Sequence, residues 1–351
     1  MPPGVRFPDL ASWLEWQQHF HPKAIDPGLE RVSRVLARTG WSAPRGPVIT
    51  IGGTNGKGSC LAIAESILLA AGYRVGSFTS PHLVDYRERI CLNGRLVSEQ
   101  SLIVAFERIA DALAPDSLSY FEFNALAALL VFESFAPDVM LLEVGMGGRL
   151  DAVNIVDPDV AVVTSIAVDH QQWLGADIES IAFEKAGIFR PDRAAIYGSK
   201  SAPQTILREA RRVGARLRLR GRDFDAIDNG DATWKFRHCR VNFERLPVPG
   251  IPGSAQTGNA ATALASLLEL SESLPLERTA IEAGLRSASL PGRFQIVTDG
   301  RGFEWVLDVA HNPDAARVLA ESLVAHPITG RTIGLCGFLA DKDFDSVLQA
   351  L

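Results

Sequence analysis

At 351 residues the chain is long for a single hydrophobic core, so two domains are expected. Its 47% hydrophobic and 22% charged residues are the balance of a soluble globular protein, and a net charge of -6 gives no general attraction to nucleic acid or to an anionic membrane. An anionic substrate must therefore be held by local groups.

Cys60, Cys91, Cys239 and Cys336 are widely spread, form no C-x-x-C pair and follow no secretory signal, which points to free thiols in a reducing cytoplasm. The most apolar helical stretch, residues 61–71, is interrupted by Glu65 and is too short to span a bilayer. Asp9 is placed to cap a helix carrying Leu10, Trp13, Leu14 and Trp16, whose tryptophans read as core residues. Past the Pro27-Gly28 turn, Val32, Val35 and Leu36 are spaced as a second helix that ends at Gly40.

The apolar run from Pro47 to Ile51 then breaks into Gly52-Gly53-Thr54-Asn55-Gly56-Lys57-Gly58-Ser59. Four glycines allow positive φ and close approach of N–H groups to an anion, Lys57 adds a point charge, and the helix that follows turns its positive end towards the same place. This is the pattern of a phosphate grip; an ordinary strand-to-helix turn is the alternative.

A strand from Tyr73 stops at the Ser80-Pro81 turn, and the parallel connection puts Ser80 near the glycine loop. Asp85, Arg87, Glu88 and Arg89 follow, either as functional groups or as a solvated face. Residues 99–113 and 120–135 read as helices, the second with a core stripe behind Phe121-Glu122-Phe123-Asn124. Residues 139–144 form a buried strand that delivers Glu143 before Gly145, Gly147 and Gly148, which suits a Walker-B-like metal ligand beside phosphates. Residues 160–166 repeat the pattern and deliver Asp169-His170-Gln171 to the same sheet edge, where His170 reads as a metal or substrate group or as a satisfied core histidine.

Lys185 lies on a short, largely apolar helix closed by Gly187, as either a reactive amine of lowered pKa or a snorkelling lysine. The arginines from Arg208 to Arg222 lack interleaved aromatics, so they read as a solvated helix and edge strand rather than a nucleic-acid surface. Residues 232–246 suggest a β-hairpin, and a helix runs to Leu270 from Gln256-Thr257-Gly258-Asn259. Pro291-Gly292-Arg293-Phe294 is the expected hinge. Beyond it a strand ends at Asp308, a helix begins at Ala310-His311-Asn312-Pro313, a further strand spans 332–336 and a helix starts near Phe344. The expected architecture is α/β: a P-loop-type, mainly parallel sheet flanked by helices over residues 1–290, and a smaller, apparently truncated Rossmann-like α/β domain over 291–351.

Gly53-Thr54-Asn55-Gly56-Lys57-Gly58-Ser59, Ser80-Pro81-His82-Leu83, Tyr86-Arg87-Glu88-Arg89-Ile90, Phe121-Glu122-Phe123, Leu142-Glu143-Val144-Gly145-Met146-Gly147-Gly148-Arg149-Leu150-Asp151-Ala152, Asp169-His170-Gln171, Glu184-Lys185-Ala186-Gly187-Ile188-Phe189, Pro291-Gly292-Arg293 and Leu307-Asp308-Val309-Ala310-His311-Asn312-Pro313 occur in one order. Together they resemble the Mur-ligase superfamily, and within it the folylpolyglutamate synthase/dihydrofolate synthase family. Lys57-Gly58-Ser59 departs from the usual Gly-Lys-Ser/Thr of P-loop proteins.

The resemblance implies a ligase in which ATP phosphorylates a substrate carboxylate and the amine of L-glutamate attacks the acyl phosphate. It implies that Thr54, Asn55, Gly56, Lys57, Gly58 and Ser59 hold phosphates, that Ser80, Glu143 and His170 ligate magnesium, and that Lys185 is carbamylated to support a second magnesium ion. Glu143, His170 and Lys185 are then the catalytic group. Asn259, Arg293, Asp308 and His311 match positions around the nucleotide, so catalysis is expected to require domain closure. Asp26, Pro27, Gly28, Phe121, Glu122, Phe123, Asn124, Leu150, Asp151 and Ala152 match pterin-side positions, although Pro27 and Asn124 stand where Leu and Thr are expected. Implied partners are dihydropteroate, folates and L-glutamate, bound by a cytoplasmic monomer with no nucleic-acid or membrane partner. The rival readings are a cell-wall peptide ligase of the same superfamily, a nucleotide-binding fragment without ligase activity, and a plain P-loop kinase or ATPase.

Overall fold

The computed structural model describes residues 6–23, 25–42, 45–326, 330–339 and 343–351. Eight strands build the main sheet: β1 (Val48–Gly52), β2 (Val75–Phe78), β3 (Ile90–Leu92), β4 (Arg95–Leu96), β5 (Val139–Glu143), β6 (Val160–Val163), β7 (Ala194–Tyr197) and β8 (Arg216–Leu219). Their order is β4-β3-β2-β5-β1-β6-β7-β8; every pair from β2 to β8 is parallel, and β3 and β4 are antiparallel. β1, β5, β6 and β7 are buried along their whole length, which is why they read as continuous apolar runs rather than alternating ones.

Successive side chains serve opposite layers. Met140 and Leu142 join the core beneath α1 (Leu10–Phe20), α2 (Glu30–Arg38), α4 (Glu99–Ala112) and α5 (Tyr120–Phe135), together with α7 (Ile178–Ala186) and α8 (Gln204–Val213). Val139 and Leu141 join the opposite core, covered by α3 (Lys57–Ala70), α9 (Gln256–Leu268) and α10 (Arg278–Ser287). The short α6 (Gln171–Leu174) packs against α7. Among the described residues no helix is long and apolar enough to cross a membrane.

The expected hairpin is present as β10 (Thr233–His238) and β11 (Asn242–Pro247), and β9 (Phe224–Asp228) adds a third strand to it. The arginine stretch forms α8 and the edge strand β8, with Arg208 and Arg212 on Glu209, Arg218 on Glu269, Arg220 on Asp225 and Arg222 on Asp223, so its charge is largely neutralised.

After residue 291 the chain builds a separate antiparallel pair, β12 (Gln295–Thr298) and β13 (Glu304–Leu307), followed by α11 (Pro313–Ala325) and α12 (Phe344–Ala350). The strand expected at 332–336 is not formed: among the described residues the segment pairs with no neighbour, and Ile333 and Leu335 are exposed. Its apolar, β-branched composition reads as a strand, but a strand exists only where a second one supplies the ladder.

Candidate active site

Parallel strands place their carboxyl ends on one edge, and the chain crosses from one side of β1 to the other between β5 and β6. The crevice at such a switch point is where open α/β sheets hold ligands. β1 delivers the glycine loop, β2 delivers Ser80, β5 ends on Glu143, and β6 leads into the loop bearing Asp169 and His170.

The loop is held from behind by the segment after β6 and from within by Lys57. Thr54 N–H donates to Ser165 O (2.8 Å), Thr54 Oγ1 accepts from Ala167 N–H (3.0 Å), and Lys57 Nζ donates to the carbonyls of Gly53 (3.0 Å) and Thr54 (3.1 Å). Gly56 has φ +84 at the start of α3, where a Cβ would stand 2.6 Å from Asn259 Oδ1. No side chain caps α3, so its first N–H groups and its positive end face the crevice.

Glu143 is 4% exposed, and its Oε2 accepts the Ser80 N–H at 2.9 Å. Burial raises its pKa, opposed by Lys57, Arg293 and Arg89. Lys185 is also 4% exposed, which removes the snorkelling reading. Burial brings its pKa down to about 7, and the Lys57 charge pushes the same way against Asp169 and Asp151. Asp151 is raised to about 6 by burial, although its carboxylate accepts from the N–H groups of Met146 (2.9 Å) and Val153 (3.1 Å). Lys57, Glu143, Asp151, Asp169, Lys185 and Arg293 thus act on one another's charge in a single cluster.

His170 is not a core histidine: its side chain is 36% exposed, its backbone has φ +52, and Nε2 lies 3.8 Å from Asp169 Oδ2. Among the described residues no three His, Cys, Asp or Glu side chains converge as a ready-made metal cage. The donor set nevertheless suits magnesium, which uses one or two carboxylates and completes its shell with phosphate oxygens and water. A buried carboxylate with one backbone donor, next to an uncapped helix start, meets that need.

The C-terminal unit closes the crevice from the other side. Asp308 accepts from Phe294 N–H and Ala310 N–H, each at 2.8 Å, and burial lowers the pKa of Arg293. His311 Nε2 lies 3.4 Å from Asp169 Oδ2. Asn259 Nδ2 donates to Gln256 Oε1 (3.0 Å) within the first turn of the same helix, α9. Asp169 and Asn312, which sequence reasoning left without a role of their own, are hubs here; only their places inside the quoted motifs marked them.

A second cluster stands beside the first. Asp26 accepts from Lys23 (3.0 Å) and Arg31 (2.5 Å), and Arg31 Nη2 also donates to Glu122 Oε1 (2.7 Å). Asp26 and Glu122 are therefore tied together through one guanidinium. Phe121 lies against Gly145, where a Cβ would meet its ring at 2.6 Å, and Tyr86 Oη donates to Asn124 Oδ1, leaving the buried Asn124 Nδ2 without a partner. Gly145 to Asp151 links this cluster to Glu143, with Leu150 half-buried and Ala152 buried. Ser59 and Phe123 are buried; Pro27, Gly28 and Gly58 are half-buried or exposed. Arg89 is buried with Nε on His82 Nδ1 (2.8 Å), and Glu88 accepts the N–H groups of Leu83, Val84 and Asp85, so this stretch is more than a solvated face.

The sequence matches the Mur ligase middle domain over residues 51–267 and the Mur ligase glutamate ligase domain over 292–351. It is 48% identical to the dihydrofolate synthase/folylpolyglutamate synthase of Escherichia coli K12 over 342 residues, 97% of this chain and 79% of that one. The Bacillus subtilis enzyme of the same name is 32% identical, over 98% of this chain and 82% of its own length. The structure superposes on E. coli FolC in complex with DHPP and ADP with a TM-score of 0.93 at 46% identity, covering 100% of this chain and 82% of that chain. A bifunctional folylpolyglutamate synthase/dihydrofolate synthase with Mn, AMPPNP and L-glutamate bound gives a TM-score of 0.90 at 44% identity, over 99% of this chain and 82% of that one. The switch-point crevice, its uncapped helix start and these likenesses agree: the chain belongs to the dihydrofolate synthase/folylpolyglutamate synthase family of ATP-dependent Mur ligases.

Proposed function

We propose that this chain joins L-glutamate to dihydropteroate and to folates through an acyl phosphate made with ATP. The observation that carries the proposal is the meeting, at one uncapped helix start, of Lys57, buried Glu143 and buried Lys185. Carboxylate and γ-phosphate are both anionic, so their approach requires concentrated positive charge and fixed positions more than covalent help.

In this reading the first turn of α3 and Lys57 hold the phosphates, and Ser80, Glu143 and His170 hold magnesium, which would neutralise phosphate charge. The amine of Lys185, its pKa lowered by burial to about 7, would attack carbon dioxide in its neutral form and release a proton, giving a carbamate whose anionic oxygens would support a second magnesium. Arg293, Asp308 and His311 complete the nucleotide side when residues 291–351 close on residues 1–290. Asp26 to Gly28, Phe121 to Asn124 and Leu150 to Ala152 line the pterin side. The unpaired thiols of Cys60, Cys91, Cys239 and Cys336 fit a reducing cytoplasm, and the enzyme acts as a monomer.

The test is phosphate release from ATP and magnesium with dihydropteroate plus L-glutamate, against each substrate omitted. Release that depends on both acceptor and glutamate is expected. Release without glutamate dependence overturns the ligase reading, and ATP binding without release favours a nucleotide-binding fragment. Substituting a tetrahydrofolate for dihydropteroate decides whether the chain performs both reactions.

A further inference from the structure

Asn55 stands in the phosphate loop, yet its side chain is spent elsewhere. Nδ2 donates to Asn312 Oδ1 (3.2 Å) and Asp314 Oδ2 (3.1 Å), while Oδ1 accepts from Asn312 Nδ2 (2.9 Å). Its backbone is committed too: the N–H donates to Ser165 Oγ (3.0 Å), and the carbonyl accepts from Thr164 Oγ1 (2.6 Å) and Ser165 Oγ (3.0 Å). Asn312 is 3% exposed and has further tasks. Its Oδ1 caps α11 by accepting the Ala315 N–H at 2.9 Å, and its Nδ2 lies 3.5 Å from Asp169 Oδ2. One carboxamide therefore touches the phosphate loop, the loop after β6 and the start of α11.

We propose that Asn312 is a positioning residue for the reaction: its carboxamide, paired reciprocally with Asn55, sets the placement of the C-terminal unit against the phosphate loop. This makes Asn55 the other half of that pair rather than a phosphate contact, and the catalytic consequence rests on the ligase reading. Two antiparallel amide hydrogen bonds fix both separation and plane, so the pair tolerates one relative placement. α11 has a second tether in its later half, where Ser322 Oγ accepts from Ser254 N–H (3.1 Å) and Glu321 Oε2 accepts from Ser254 Oγ (3.3 Å). With the amide pair removed, the start of α11 is held more loosely, by His311 near Asp169 and, where Asn55 is retained, by Asp314, while the later tether stays; Arg293, Asp308 and His311 move with the unit that carries them.

Three substitutions separate positioning from folding. Asn312→Ser keeps a capping oxygen but cannot reach Asn55; Asn312→Asp keeps cap and length but loses the donor and sets a carboxylate beside Asp169. Asn55→Ala removes the pair from the other side and leaves the cap untouched. Expected for Asn312→Ser and Asn55→Ala is a fall in kcat of about tenfold or more with a much smaller change in the KM for ATP. Asn312→Asp is expected to be worse, and the losses in the Asn55→Ala/Asn312→Ser double variant are expected to be less than additive. A readout free of activity is amide hydrogen exchange of the full chain without nucleotide, in which Asn55→Ala speeds exchange at Ala315 and Ala316. Wild-type exchange there, or fully additive kinetic losses, overturns the proposal. Faster exchange in a chain that shows no ligase activity would sink the ligase reading and leave the pairing standing.

Discussion

Glu143 Oε2 accepts the backbone N–H of Ser80 at 2.9 Å, joining the exits of β2 and β5, two neighbouring parallel strands, beside the phosphate loop. That bond leaves Oε1 facing the start of α3, 3.8 Å from where a Cβ on Gly58 would stand. Glu143→Gln keeps the shape and the acceptor for Ser80 but removes the charge. The expected result is a loss of at least about 100-fold in kcat that added magnesium does not restore, as for removal of a group aimed at transferring phosphate. The Tm is expected to hold or rise, because a desolvated carboxylate is costly in the empty protein. Wild-type turnover in this variant would remove Glu143 from the metal site.

Two glycines with the same backbone hand give an internal comparison. Gly56 has φ +84 with Asn259 Oδ1 in the way of any Cβ, whereas Gly40 has φ +70 with nothing within 4 Å. Alanine at either position costs about 1–2 kcal/mol of stability from the left-handed backbone. Only Gly56→Ala displaces Asn259, so only that variant is expected to raise the KM for ATP, by roughly tenfold. Isothermal titration with a non-hydrolysable ATP analogue checks it; equal affinity in both variants would contradict the placement of Asn259 beside the phosphates.

Most of the main sheet was legible because β1, β5 and β6 are buried on both faces and therefore largely apolar, β1 ending in glycines, β5 in Glu143, and β6 running on through Thr164 and Ser165 towards Asp169. β7, Ala194–Tyr197, gives a weaker signal: two alanines carry little hydrophobic contrast, and no catalytic residue follows them. The segment at 332–336 has strand composition but no partner among the described residues, and pairing is a property of the neighbour rather than of the segment. In the site, Lys185 stood out because a lysine in a short, largely apolar helix is unusual. Asn312 did not, since an Asn before Pro reads as a helix cap, which it also is. Its contact with Asn55 joins residues 257 positions apart, which local pattern cannot reveal.

Asp26 gives a pH signature on the acceptor side. The Lys23 hydrogen bond, together with Arg31 and His21 and against partial desolvation, holds its carboxyl down to about 2. A depressed carboxylate adds stability that is present above its unfolded pKa of about 4 and is lost as pH falls through its folded value. Urea midpoints measured from pH 5 to pH 2 are expected to fall less steeply in Asp26→Asn than in the parent. Arg31→Met leaves Glu122 without its guanidinium and is expected to cost about 3 kcal/mol. It is also expected to raise the KM for dihydropteroate several-fold while leaving that for ATP nearly unchanged; equal rises in both would mark Arg31 as a general structural residue.

Lys185 offers the sharpest sign. Burial, reinforced by Lys57, lowers its pKa to about 7 from an ordinary value of 10.5. For a lysine this direction is a cost: below pH 7 the folded state must carry a charge it holds poorly, and the cost fades as pH rises from 7 towards 10.5. In buffer depleted of carbon dioxide, Lys185→Met is therefore expected to be more stable than the parent at pH 6, with the difference shrinking by pH 9. The same amine, neutral and buried, is the form that attacks carbon dioxide, so in the parent bicarbonate is expected to raise activity at pH 8 more than at pH 6. Lys185→Ala is expected to lose nearly all turnover and to regain part of it with bicarbonate or a small carboxylate that fills the vacated space. Full activity of Lys185→Ala without any additive would remove the carbamate from the mechanism, and loss without rescue would leave Lys185 acting as an amine.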